Sequence, residues 1–222
     1  MNTNYDGYEQ PGVTVDLVLF TVEQDSLKVM LVKRAEAPFL GYWSLPGGFL
    51  KIGESLEEAA LRILEEKTGV NEVYLEQLYT FGDPERDPRA RVITVTYFAL
   101  IPWKNLVRPE SKKITDVIWH PTNQLPRLAF DHKEIINYAT QRLRAKAGYS
   151  NIVYGFLPDR FRLSDLQKIY EIILNKDLDK RNFRKRMLAS GLLEETGVKD
   201  LAGAHRPAML YHFKKMEIAF LD

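Results

Sequence analysis

GGFLKIGESLEEAALRILEEKTGV, residues 47–70, encodes a loop and a helix whose ends can be read from the residues themselves. Ser55 followed by Glu58 is a capping box, in which hydroxyl and carboxylate each satisfy a backbone amide, so a helix is expected to begin after Ser55. Gly69 stands where that helix would close, because glycine adopts the left-handed conformation at low cost. At about 100° per residue, Leu56, Ala59, Ala60, Ile63 and Leu64 form one broad apolar stripe, with Glu58, Arg62 and Glu65 opposite. Alone, this is an ordinary amphipathic surface helix. Gly47 and Gly48 change the reading, since glycines let backbone approach a ligand and the amides at a helix start favour an anion.

The spacing is more specific than the helix. Gly48, Glu54, Arg62, Leu64, Glu66, Gly69 and Val70 match position by position the pattern G-x5-E-x7-R-E-U-x-E-E-x-G-U, with U aliphatic, and GYWSLPGG precedes it. In these residues the stretch resembles the Nudix family. The resemblance implies an α/β protein, a Nudix α/β/α sandwich with a mixed sheet. Two positions depart from it: Ile63 and Lys67 stand where the family has glutamates that hold divalent metal together with the one at Glu66. They lie one turn apart, so both losses fall on one patch. Mg²⁺ needs hard oxygen ligands, and one carboxylate beside an ammonium group would hold it poorly. No catalytic or metal-ligating residue and no required cofactor is therefore expected, and hydrolysis should be weak or absent. Mg²⁺ enters only on the alternative reading, a Nudix hydrolase of ADP-ribose using Glu66 with Glu65, Glu54 or loop carboxylates. Lys67 keeps two readings: it neutralises a bound diphosphate, or it pairs with Glu65 or Glu66.

Outward from this helix, VTVDLVLFTV (13–22) and LKVMLVKR (27–34) flank the polar turn EQDS and predict a hairpin. VYLEQLYTF and RVITVTYFALI predict strands around the loop GDPERDPRAR, and DVIWH a short strand. Asp131 is placed to cap a helix from His132 to about Lys146. The charged loop reads first as a solvated run, but guanidinium groups suit phosphates. FGDPERDPRARVITVTYFAL also resembles Nudix proteins acting on ADP-ribose and their regulatory relatives. The candidate effector-binding set is Gly47, Gly48, Glu66, Lys67, Arg86, Arg89 and Arg91.

AGYSNIVYGF reads as a linker, dividing the chain at 149/150 into a ligand-sensing domain (1–149) and a second domain (150–222). LSDLQKIYEIILN predicts a helix with Leu166, Ile169, Tyr170 and Ile173 on one face. After a turn of three or four residues, DKRNFRKRMLAS predicts a second, docked by Phe183 and Met187. Five of the seven residues from Lys180 to Arg186 are basic. A short basic helix in second place, followed by strand, loop and strand up to AMLYHF, suits a winged helix-turn-helix. The candidate DNA-binding residues are Lys180, Arg181, Asn182, Arg184, Lys185, Arg186, His205 and Arg206. Together with "LAFDH" (128–132), "FRKR" and the Arg206–Tyr211 stretch, the whole resembles the Nudix-related transcriptional regulators.

That resemblance implies a repressor that binds a double-stranded DNA operator as a homodimer. It further implies a small effector, ADP-ribose in control of NAD metabolism or else a sugar. A third reading has the C-terminal helices binding a protein partner. Composition constrains the rest: no cysteine excludes disulfides and thiolate chemistry, and the net charge of +1 divides into +3 for residues 151–222 (13 basic against 10 acidic) and −2 for the remainder (18 against 20). No run of eighteen apolar residues exists and MNTNYDGYEQ lacks a signal peptide's pattern, so a cytoplasmic location without membrane contact is expected.

Overall fold

The computed structural model describes residues 8, 10–70, 73–103, 117–200 and 207–221. β1 (Gly12–Glu23) and β2 (Ser26–Lys33) form the expected hairpin. Its two turn residues, Gln24 and Asp25, take φ of 49° and 59°, the sign that a two-residue turn between twisted strands requires. β3 (Trp43–Ser44) and β7 (Val117–Pro121) pair with β2, and β4 (Gly47–Phe49) pairs back on β1. β1 runs parallel to β6 (Val92–Leu100), which is antiparallel to β5 (Tyr74–Phe81), so the seven-stranded sheet is mixed.

Every residue of β1 from Val15 to Thr21 is buried, as expected of a strand covered on both faces. Val15, Leu17 and Leu19 pack with Ala59, Ala60, Ile63 and Leu64 of α1 (Leu56–Thr68). Val18 and Phe20 turn the other way, to Ile135, Ile136, Ala139 and Leu143 of α2 (His132–Tyr149). The period-two alternation thus builds an α/β/α sandwich. Both predicted ends of α1 are present: the Ser55–Glu58 capping box, and Gly69 at φ 68°.

The C-terminal third contains β8 (Phe161–Arg162), α3 (Leu163–Leu174), α4 (Lys180–Ala189), β9 (Leu193–Asp200) and β10 (Ala208–Phe213). The strands form an antiparallel sheet in the order β8-β10-β9, which with α3 and α4 makes a winged helix. Three expectations need correction. The turn between α3 and α4 spans 175–179, longer than three or four residues, with Asn175 left-handed to end α3. Asp131 makes no capping hydrogen bond, because Arg86 holds its carboxylate. Most of AGYSNIVYGF is a buried joint rather than a linker. α2 runs on to Tyr149, and Ile152–Phe156 form a 3-10 turn so close to β6 that a Cβ on Gly155 would lie 2.8 Å from Leu100 Cβ. The Asn151 amide accepts from the Ala219 amide at 2.7 Å and donates to the Glu217 carbonyl at 3.0 Å. The apolar core that holds Val18 and Phe20 therefore continues through Ile152 and Val153 to Leu166, Ile173, Phe183 and Met187.

Candidate effector cleft and nucleic-acid interface

A cleft of about 300 Å³ opens where β1, β4, the last turn of α1 and the loops around residues 34–36 and 86–89 meet. Gly47, Gly48, Lys67, Arg86 and Arg89 line it; Glu66 and Arg91 do not. Gly47 pairs with Asp16 across the β1–β4 ladder, and a Cβ there would stand 2.0 Å from Asp16 Oδ1, so glycine is obligatory. Gly48 is freer, since its Cβ would meet only Ile63 Cδ1 at 4.0 Å.

The residues at the Nudix metal positions do not fit a divalent cation. Ile63 is 2% exposed and belongs to the core beneath α1. Glu66 is half exposed and pairs with Arg62 at 3.6 Å. Arg62 also grips Glu54 through two hydrogen bonds of 2.6 and 2.9 Å, which with the Lys51 amide hold the Glu54 carboxyl down at about 2. Among the described residues, no three His, Asp or Glu side chains converge as a metal-binding group. Among the described residues Lys67 makes no ion pair with Glu65 or Glu66, and it lines the cleft.

The three loop arginines have separate fates. Arg86 is 4% exposed in its side chain and forms a bidentate pair with Asp131 (2.8 and 2.8 Å), with Asp16 at 3.6 Å. Arg89 forms a bidentate pair with Asp87 (3.0 and 2.7 Å), which holds that carboxyl below its usual range. Arg91 donates to the Gly82 carbonyl at 2.7 Å and so ties the loop's ends together. Behind them, His132 Nδ1 accepts the Leu45 amide at 2.9 Å, which places the ring proton on Nε2, 3.9 Å from Asp16 Oδ2. Burial pushes the His132 imidazole below its ordinary pKa, against the opposing pull of Asp16 and Asp131.

Sequence reasoning missed Asp16, Arg34, Phe130 and His132 as cleft residues. One signal was available: Asp16 is the lone charged residue in VTVDLVLFTV. LAFDH (128–132) drew notice to Phe130 and His132 as part of a family-like stretch without assigning them a role, and nothing local marked Arg34.

In the winged helix, Asp179 caps α4 by accepting the Asn182 amide at 2.8 Å. Phe183 and Met187 are buried, Phe183 against the Tyr170 ring, with centroids 5.5 Å apart. Lys180, Arg181, Asn182, Arg184, Lys185 and Arg186 are all exposed. Among the described residues, none of these five cations has a carboxylate within ion-pair distance. The face therefore offers positive charge and one amide to a partner. β9 and β10 form the wing; His205 and Arg206, expected near its tip, lie outside the described residues.

Residues 10–139 match the NUDIX domain family and residues 153–213 the NrtR DNA-binding winged helix domain. Over 217 residues, 96% of this chain and 86% of the relative, the sequence is 40% identical to the "ADPR responsive transcriptional repressor NtrR" of Acinetobacter baylyi. An ADP-ribose pyrophosphatase of Methanocaldococcus jannaschii is 37% identical over 132 residues, covering 60% of this chain and 75% of that one. The fold is similar to that of Shewanella oneidensis NrtR complexed with a 27mer DNA, at TM-score 0.82 and 43% identity over 91% of this chain and 93% of that one. The NUDIX domain of the same protein complexed with ADP-ribose matches at TM-score 0.55 and 45% identity, over 63% of this chain and 94% of that one. With a Nudix domain and an NrtR winged helix joined through one core, the chain belongs to the NrtR family of Nudix-related regulators.

Proposed function

We propose that the chain is a transcriptional repressor that binds double-stranded DNA through α4 and the β9–β10 wing and takes ADP-ribose into the cleft beside Gly47 and Gly48. The observation that carries this is the split face of α4: two apolar side chains anchor it while six polar ones, five of them cationic, face out. Outward cations neutralise phosphates and release counterions, which positions a helix in the groove. Of the two effector classes expected from sequence, ADP-ribose is supported by the names of the relatives. The family resemblance assigns it to the control of NAD metabolism, acting in the cytoplasm as a homodimer. No helix among the described residues is long and apolar enough to cross a membrane.

α2 can connect the two sites. Its 18 residues span about 27 Å. At one end Asp131 is locked to Arg86 in the cleft. At the other, Arg144 Nε donates to the Ile173 carbonyl of α3 at 3.1 Å, and the Tyr170 hydroxyl donates to the Ser150 carbonyl at 3.1 Å. An effector that binds one setting of α2 better than another would change the spacing of the two recognition helices in a dimer. Only such a difference in affinity shifts the balance; tight binding alone does not.

Fluorescence anisotropy of the full chain on candidate operator fragments, over a salt series with and without ADP-ribose, tests the reading. Binding should weaken steeply with salt and respond to ADP-ribose, and Arg181→Ala and Lys185→Ala should each reduce the salt slope by about one. Absence of salt-sensitive binding, or indifference to both substitutions, sinks it. The pyrophosphatase relative favours a second reading, hydrolysis. Mg²⁺-dependent release of AMP from ADP-ribose at about 1 s⁻¹ or faster would establish that reading against the burial of Ile63.

A further inference from the structure

The cations of the cleft differ in whether the chain already neutralises them. Arg86 is matched by Asp131 and Asp16, and Arg89 by Asp87. Lys67 has no such partner among the described residues, and neither does Arg34. Arg34 Nε donates to the Pro38 carbonyl at 2.8 Å and a second nitrogen reaches the Glu36 carbonyl at 3.4 Å, so its bonds are to neutral acceptors. Burial lowers its hold on the proton and the charge of Arg89 adds to this, outweighing the opposing pull of the Asp87 and Glu36 carboxylates. A partly desolvated guanidinium beside a like charge gains most from an incoming anion. Arg34 also lies over the Phe130 ring, 4.8 Å from its centroid, in the range of a cation–π contact. Phe130 itself sits at φ 52°, a conformation that bulky residues avoid and that persists where the surroundings enforce it. Its ring meets that of Phe39, at φ 64°, edge-on at 4.9 Å.

Arg34 enters the cleft from the end of β2 and Lys67 from the last turn of α1, on separate walls. Asp16 and Asp87 are already matched; Glu36 is the remaining acidic lining residue, and its charge acts on Arg34 without forming an ion pair. A diphosphate diester carries one negative charge on each phosphate. A guanidinium fork and an ammonium point charge are complementary to such a pair.

We infer that Arg34 and Lys67 are the residues that hold the phosphate oxygens of a diphosphate ligand without a metal ion, with Phe130 as the platform that positions the Arg34 guanidinium. The inference rests on the reading of the cleft as the effector site and assigns the work within it. Arg86, Arg89 and Arg91 serve the architecture of the loop instead.

Isothermal titration of the full chain with ADP-ribose tests it. Arg34→Gln and Lys67→Gln should each weaken binding by about tenfold or more, and Arg89→Gln by less than about threefold. Phe130→Leu should weaken binding in the chain that has Arg34 and add nothing in Arg34→Gln, a coupling that general loosening would not give. Unligated melting midpoints identify any variant that fails to fold, and Arg34→Lys supplies a milder change at the same place. Arg34→Gln binding as tightly as the unchanged chain, or Arg89→Gln losing as much, overturns the assignment. If the unchanged chain does not bind ADP-ribose, the effector reading fails by itself. Thermal shift with inorganic pyrophosphate then decides the inference. It stands if pyrophosphate stabilises the unchanged chain and not Arg34→Gln, and falls if the two shifts are equal or absent.

Discussion

Residues 82–91 and residues 180–186 are both rich in arginine, and both read from sequence as places for phosphates. In the loop, Arg86 meets a carboxylate 45 positions away, Arg89 meets one two positions away and Arg91 meets a carbonyl. In α4 the cations stand on a surface whose inner face is fixed by Phe183 and Met187, and no carboxylate reaches them among the described residues. A buried guanidinium must be paired, because removing it from water costs several kcal/mol. An exposed one stays hydrated and remains available. For Arg86 the difference is therefore one of burial rather than of charge count, whereas Arg89 is half exposed and owes its pairing to the buried Asp87 two positions away.

The comparison can be broken most forcefully by making one substitution in both regions. Arg86→Ala leaves the buried Asp16 and the largely covered Asp131 without their partner and should cost about 3–5 kcal/mol, read as a lowered denaturant midpoint. Arg181→Ala should stay within about 0.5 kcal/mol in the same assay. Equal effects would mean that the loop arginine is as dispensable to the fold as the helix one. A smaller effect is expected at the glycines. Gly47→Ala drives a methyl into Asp16 and should cost about 1–3 kcal/mol, whereas Gly48→Ala should be tolerated. If Gly48→Ala is the more damaging, the β4–Asp16 contact does not set the cleft wall.

The subtlest test is pH. His132 is buried with its pKa lowered, so between its folded value and about 6.5 the unfolded chain binds the extra proton. Its contribution is whole above about pH 6.5 and is lost as pH falls toward the folded value. Asp16, Asp131, Arg86 and Arg34 are the charged groups acting on the ring. The carboxyls of Glu54 and Asp87, held low by Arg62 and Arg89, add a separate loss at lower pH. His132→Asn, whose side-chain amide stands close to the place of Nδ1 and can still accept from Leu45, should flatten the stability curve just below about pH 6.5 while leaving the acid limb. An unchanged slope there would assign the titration to another group.

Much of the fold was legible because its signals are local. The hairpin, the capping box at Ser55, the left-handed Gly69, and the positions of α3, α4 and β10 all follow from residues close in sequence. The joint was misread for the opposite reason. AGYSNIVYGF contains the glycines and polar residues of a linker, but Ile152, Val153, Tyr154 and Phe156 find their partners in β6 and in the winged helix, which no window of sequence contains. At the cleft, Gly47, Gly48 and Lys67 were found through the spacing of a motif. Arg34 carries no motif, and LAFDH did not show what Phe130 does, since their ring contact and shared wall exist only after β2 and the loop before α2 come together.

The sequence by itself determined the elements, the Nudix-like spacing with two glutamates replaced by Ile63 and Lys67, and the basic helix docked by Phe183 and Met187. These rest on periodicity and capping, interactions that span a few residues. Tertiary structure alone decided that Arg86 belongs to Asp131, that Ile63 fills the core where a ligand would have stood, and that the two halves share one hydrophobic core. Burial and ion pairing join residues far apart in the chain, and their strength depends on a dielectric environment that the folded chain itself creates.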